Sequence, residues 1–162
     1  GAGVGLVKLA SQYPDATITG LDGDAHSISL AEDRVAEAGL TDRVSHMQST
    51  LEDLDEQGKY DLVYINISMH EARDIDLATK NVRNALKPGG YFVISDFPFP
   101  GDNEGLRTVP GRIMSGIQYF EAQIDDQLLS TETFVKLLED GGFSDVGSFI
   151  IAPVHNVIYG RV

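Results

Sequence analysis

The feature that most restricts this chain is an alternation, repeated from end to end, of helical apolar periods with short apolar runs bounded by turn residues. Strands separated by helices pair in parallel through right-handed crossovers, so the pattern predicts an α/β fold with ligand chemistry at the carboxyl ends of the strands. A first helix runs from about Gly5 to Tyr13, with Leu6, Leu9, Ala10 and Tyr13 on one face and Pro14 as its stop. Thr17 to Asp22 reads as a strand. Asp24 then caps a helix that turns Ile28, Ala31, Val35 and Ala38 inward and ends at Gly39. Arg43 to Gln48 is extended, and Tyr60 to Asn66 (YDLVYIN) reads as a buried parallel strand, apolar on both faces. A helix from Glu71 to Leu86, with Ile75, Ala78, Val82 and Ala85 inward, is ended by Lys87-Pro88-Gly89-Gly90, and Tyr91 to Asp96 is the next strand.

The rhythm breaks from Phe97 to Pro110, which has no period and reads as a loop over one end of the sheet. Met114 to Gln123 is a helix candidate, and Thr131 to Asp140 is a capped helix closed by Gly141-Gly142. Val146 to Ala152 and Asn156 to Val162, joined through Pro153, read as an antiparallel strand pair. No repeat or linker interrupts residues 1–162, which predicts one domain.

Composition removes several function classes. With 12 Lys+Arg against 25 Asp+Glu the net charge is −13, so neither nucleic acid nor an anionic membrane is an expected partner. The absence of cysteine excludes disulfides, thiolate metal sites and a cysteine nucleophile, and fits a reducing cytoplasm. No apolar run has the length of a membrane span, and the chain does not open like a signal peptide. The excess of Asp over Glu is compatible either with life at high salt or with an ordinary acidic enzyme.

Chemistry is expected after the strands. Gly1-Ala2-Gly3-Val4-Gly5 opens a helix, where glycines let the backbone turn tightly and approach a ligand, and the helix N-terminus offers free N–H groups. Asp22 closes the next strand, where a carboxylate accepts both hydroxyls of a ribose. This pairing points to an adenosine-containing cofactor, nicotinamide or S-adenosylmethionine.

The glycine turn, ITGLD, YDLVYIN, ALKPGGYFVISD and LLEDGGFSDV occur together in the order and spacing of class I S-adenosylmethionine-dependent methyltransferases, and the chain resembles that family over nearly its whole length. The resemblance is strongest to the catalytic domain of small-molecule O-methyltransferases. It implies a Rossmann-like three-layer α/β/α sandwich, strand order 3-2-1-4-5-7-6 with an antiparallel last strand, and S-adenosylmethionine as cofactor. The family's first strand has no counterpart here, and an upstream dimerisation domain is expected to make a homodimer. By the same resemblance Gly1, Ala2, Gly3 and Gly5 line the methionine and ribose of the cofactor, and Asp22 holds the ribose hydroxyls. Gly23, Asp24, Ser49, Thr50 and Leu51 surround the adenine, and Asn66 lies near the methyl donor. Two positions depart from the pattern: Thr50 stands where many members have Asp, and Gly23 where many have a larger apolar residue.

Met69-His70-Glu71 resembles the His-Asp-Trp segment that supplies the general base in those O-methyltransferases, although the Trp is missing. His70 is therefore the catalytic candidate, set against a packing or helix-start role. Phe97, Phe99, Met114, Ile117, Tyr119 and Phe120 are candidates for an acceptor pocket or, at helical spacing, for core. Asp96 is suited to orient an acceptor or catalytic group, or to cap a turn. His26, His46 and His155 lack metal-ligand spacing and read as structural or solvated, and no metal is expected. The expected reaction is methyl transfer to a small-molecule hydroxyl. The alternatives are a methyltransferase-like scaffold that has lost catalysis and, less well matched in its motifs, a nicotinamide-dependent oxidoreductase.

Overall fold

The computed structural model describes residues 1–162, which divide into two units, Gly1–Thr50 and Leu51–Val162. In the first unit, α1 (Val4–Gln12) and α2 (Ala25–Glu37) flank the parallel strands β1 (Ile18–Asp22) and β2 (Val44–Gln48). Ala10, Val35 and Val44 form its buried centre, with Leu6, Val7, Ile18 and Leu40 packed around them. The Arg43 guanidinium donates to the carbonyls of Ala10, Tyr13 and Ala16 at 2.6, 3.2 and 3.1 Å, satisfying acceptors that the end of α1 leaves free. α2 begins as its sequence requires: the Asp24 carboxylate accepts the Ser27 N–H at 2.8 Å, and Gly39 takes a φ of 68° beyond its end.

The second unit holds a four-stranded sheet of order β3-β4-β6-β5, from β3 (Tyr60–Asn66), β4 (Leu86–Asp96), β5 (Ser144–Ala152) and β6 (His155–Arg161). β3 and β4 are parallel, whereas β6 runs antiparallel to both of its neighbours. The two sheets thus reproduce the runs of the expected family order on either side of its first strand. α3 (Ile75–Ala85) buries Ala78, Thr79, Val82 and Ala85, and α6 (Thr131–Asp140) buries Phe134 and Leu138. Full burial of each of those two α6 side chains contributes about 1.5–3 kcal/mol. The ring of Phe143, just past α6, lies 5.8 Å from that of Phe92 on β4.

Four expectations are corrected. β3 is not buried on both faces: Leu62 and Tyr64 are 54% and 45% exposed. The helix expected from Glu71 starts at Ile75, because Asp74 caps it at Leu77 N–H (2.9 Å) and residues Met69–Glu71 form a separate 3-10 turn. Lys87–Gly90 belongs to β4 as an irregularity of the ladder, with Gly89 at φ 82° and its N–H donated to Val162. The segment before Pro110 is not all loop, since it holds α4 (Asn103–Arg107), and α5 runs Val109–Glu121 rather than from Met114. Pro110 stands in the first turn of α5, where its missing N–H has no helical partner to lose, and the Thr108 hydroxyl caps the helix. A proline read as the end of a loop was part of a helix start.

Candidate active site

In the first unit the strand ends converge on one group of residues. Gly3 is the N-cap of α1 at φ 80°, and a Cβ there would lie 2.8 Å from the Ala31 Cα, so only glycine lets α1 approach α2 this closely. Neither Gly1 nor Gly5 has any atom within 4 Å of where a Cβ would stand. The space beside the turn is open, and α1 begins with no capping side chain and no acidic residue in its first turn. The Ala2 carbonyl accepts from Arg34. Asp22 closes β1, and its Oδ1 accepts the Asp24 N–H at 2.8 Å. Burial pushes this carboxyl up. The Asp24 N–H, donated to this carboxyl, works against that rise. Ser49, at the end of β2, donates its N–H to the Asp22 carbonyl at 3.1 Å, and the methyl of Thr50 lies 3.6 Å from a Cβ built on Gly23. A Cβ at position 23 would meet only an ordinary contact.

These residues fit an adenosine cofactor. Uncapped helix N–H groups, open space beside two glycines and a strand-end carboxylate are what its carboxylate and ribose need. Leu51 and Asn66 belong to the second unit. The Leu51 carbonyl accepts from Asn81 at 3.1 Å, and Asn66, at the end of β3, is exposed and accepts the Tyr64 hydroxyl at 2.9 Å.

In the second unit, buried titratable side chains gather at the ends of β3 and β4. His70 is 6% exposed, and its Nδ1–H donates to Oδ1 of Asp96, itself 1% exposed, at 2.8 Å. The same Asp96 oxygen accepts the Phe97 N–H at 2.8 Å. The pairing leaves Nε2 as the available nitrogen, with Glu121 Oε2 at the end of α5 3.7 Å away. Burial pushes the imidazole down. Asp96, by hydrogen bond and charge, then Glu121 and Glu71 reverse this, so His70 titrates above its ordinary value. Burial raises Glu71; the charge of His70 opposes this, while Asp126, Glu121 and Asp96 add to the rise.

A pocket of about 280 Å³ opens beside His70, with Arg73, Ile75, Asp125, Gln127 and Leu129 among its walls. Arg73 fixes one wall. Its guanidinium binds the carbonyls of Ile124 and Asp125 at 3.1 and 2.6 Å and the buried Asp126 carboxylate at 2.7 Å, fastening the α5–α6 connection to the segment after His70.

Of the aromatic pocket candidates, Phe97 stands beside His70, ring centroids 6.1 Å apart. Met114 is buried core, and Tyr119 and Phe120, in edge contact with each other, are 68% and 69% exposed. Phe99 and Ile117 are half-buried, and neither lines this pocket. His155 pairs with Ser95 and lies edge-on to Phe97, whereas His46 keeps a buried Nε2 without a partner. No group of three or more His, Cys, Asp or Glu side chains is arranged to hold a metal. Sequence reasoning did not find Arg73, Glu121 or Asp126: Glu121 meets His70 from 51 residues away and Arg73 meets Asp126 across 53, without any local motif.

A parallel α/β unit with a glycine turn and strand-end carboxylate, and a second whose penultimate and last strands form an antiparallel pair, define the class I S-adenosylmethionine-dependent methyltransferase architecture. The chain belongs to the methyltransferase domain family, whose model matches residues 1–142. The cofactor of this class is S-adenosylmethionine. A polyketide synthase-nonribosomal peptide synthetase of Aspergillus clavatus is 29% identical over 115 residues, 65% of this chain and 3% of that protein. A malonyl-[acyl-carrier protein] O-methyltransferase of Priestia megaterium is 31% identical over 99 residues, 60% of this chain and 35% of that one. An O-methyltransferase family protein from Burkholderia thailandensis has the same fold, with a TM-score of 0.80 at 20% identity, covering 99% of this chain and 48% of that one. The chain thus spans a small part of the curated relatives it matches and about half of that solved structure. No helix is long and apolar enough to cross a membrane.

Proposed function

We propose that residues 1–162 form one methyltransferase domain that methylates a hydroxyl oxygen of a small molecule in the cytoplasm, with His70 as general base. The observation that carries this reading is the buried His70–Asp96 pair, 2.8 Å at Nδ1, in a residue that lines a pocket. The Priestia relative, an O-methyltransferase by name, agrees with oxygen as acceptor atom.

Bound S-adenosylmethionine supplies an activated methyl group on a sulfonium. Gly1, Ala2, Gly3, Gly5, Asp22, Gly23, Asp24, Ser49 and Thr50 are the first-unit residues assigned to it, with Leu51 and Asn66 from the second. The protein's own work is then alignment and proton removal. Asp96 accepts Nδ1–H and fixes the tautomer in which the Nε2 lone pair takes the acceptor's proton. It also stabilises the imidazolium that results, as does Glu121. Arg73 holds the pocket wall while this happens.

The test is calorimetric titration with S-adenosylhomocysteine, followed by transfer of radiolabelled methyl from S-adenosylmethionine to a panel of phenols and alcohols, with His70→Ala as control. Binding with transfer that His70→Ala abolishes supports the reading. Transfer that survives His70→Ala overturns the role of His70. Binding without transfer to any panel member favours a domain that holds cofactor without methylating hydroxyls. Absence of binding favours the scaffold, the reading toward which the departures at Gly23 and Thr50 lean.

A further inference from the structure

Asp96 on β4 and Asn156 on β6 are register partners, so their side chains leave the sheet on the same face. They are 1% and 2% exposed, and each keeps one oxygen with no hydrogen-bond donor: Oδ2 of Asp96 and Oδ1 of Asn156. Buried acceptors rarely go without donors, because water has been stripped from them with nothing in return. Two such acceptors at directly opposed positions ask for one common explanation.

The other carboxamide atom of Asn156, Nδ2, meets the hydroxyl of Thr131 at the start of α6. A hydroxyl donates as readily as it accepts, so Thr131 suits either end of the amide. A carboxylate does not, because it accepts only. Turning the carboxamide by half a turn preserves its shape while exchanging its oxygen and nitrogen. That turn offers the oxygen to the Thr131 hydroxyl and puts an NH2 in place of the unpartnered oxygen, on the residue opposite Asp96 in the ladder.

We propose that Asn156 acts in this orientation as a positioning residue for His70. The Thr131 hydroxyl donates to Asn156 Oδ1, Asn156 Nδ2–H donates to Asp96 Oδ2, and Asp96 Oδ1 accepts from His70 Nδ1. The relay runs from the first residue of α6 across β6 and β4 to the imidazole, and it pins the carboxylate that sets the imidazole's tautomer. The proposal rests on the reading of His70 as the base, and its test is independent of turnover.

His70 faces Asp96 from β4, Glu121 from α5 and Glu71 from its own turn; Asp126, paired with Arg73, lies near Glu71, and the Phe97 ring stands between His70 and His155 of β6. Against those charges the Asn156 NH2 places a positive dipole end on the far side of Asp96, which works against an extra positive charge on His70. Its removal should therefore raise the His70 midpoint.

The experiment follows the His70 Cε1–Hε1 resonance and the Asn156 side-chain NH2 resonance of the whole chain through a pH titration by NMR. The expected result is an Asn156 NH2 resonance that moves along the His70 curve, and a higher His70 midpoint in Asn156→Ala with those of His26 and His46 unchanged. An Asn156 resonance that stays flat through the His70 transition overturns the proposal, as does an unshifted His70 midpoint in a folded Asn156→Ala. If that variant does not fold, the wild-type resonance decides alone. Failure of the general-base reading shows up separately, as methyl transfer surviving in His70→Ala.

Discussion

The two units hold their candidate site residues in opposite ways. In the first, Asp22 and the glycine turn lie at a partly open surface and are held by backbone: an Asp24 N–H, a Ser49 N–H and the bend at Gly3. In the second, His70 and Asp96 are buried, and side chains from distant parts of the chain hold them. A binding surface needs backbone shape and a few outward polar groups. A base must be shielded from water and aimed, and burial then requires partners for every polar atom. The contrast makes a claim that substitution can break: first-unit changes should move cofactor affinity, and second-unit changes should move chemistry and titration.

The largest effect belongs to His70→Ala. Loss of a positioned base lowers turnover about 10²–10⁴-fold. Affinity for S-adenosylhomocysteine should stay within error of the wild type. A parallel fall in affinity, measured by calorimetry, would break the division between the units.

Asp22→Ala is the converse. Hydrogen bonds to a charged group are worth about 1.5–3 kcal/mol, which corresponds to an affinity loss of about 10- to 100-fold. The His70 titration should not move. Asp96→Asn sits between these cases, because it removes a charge at a fully buried position while keeping the shape. Denaturant unfolding should show a loss of about 1.5–3 kcal/mol, and the His70 midpoint should fall because its largest favourable partner has lost its charge.

The glycines divide in a way that sharpens the comparison further. Gly3→Ala forces a left-handed φ on a residue with a Cβ, at about 1–2 kcal/mol, and drives that Cβ against Ala31, so stability should drop by at least this amount. Gly5→Ala meets no atom and lies within α1, so thermal unfolding should show it neutral or up to about 1 kcal/mol more stable. If Gly5 lines the cofactor, that same variant binds S-adenosylhomocysteine more weakly despite its stability.

How much of this was legible in the sequence follows the same divide. The glycine turn, Asp22 and the Asp24 cap are local: each needs only neighbours a few residues away, and each was readable from type and spacing. Helices α2 and α6 were legible because Asp24 and Ser130 cap them and glycines follow their ends. His70 was singled out by resemblance to a motif. Asp96 was read as suited to orient an acceptor or catalytic group or to cap a turn, but it was not paired with His70, because it is 26 residues away and only the parallel pairing of β3 with β4 brings their ends together. Arg73 was silent for the same reason, since its bonds to Ile124 and Asp125 cross 51 and 52 residues. The misreading of Pro110 as part of a structureless loop came from weighing its helix-breaking side over its suitability for a first turn. The misreading of β3 came from composition: YDLVYIN looks equally apolar whether one or both of its faces are covered.

The smallest expected effect is a pH dependence, and its value lies in its two opposed signs. His70 titrates above its unfolded-state value of about 6.5, so its pairing stabilises the fold fully below that pH, and this contribution is lost as pH rises through the folded midpoint. The same rise uncovers the Nε2 lone pair, so turnover by a histidine base increases across the window in which stability falls. Parallel measurements of kcat and of urea unfolding midpoint from pH 6 to 9, both expected to follow the His70 NMR titration, check this. In Asp96→Asn both curves should move to lower pH together, because one carboxylate raises the same midpoint for both. A kcat profile that stays in place while the stability profile moves would leave Asp96 a structural partner of His70 and assign proton removal to another group.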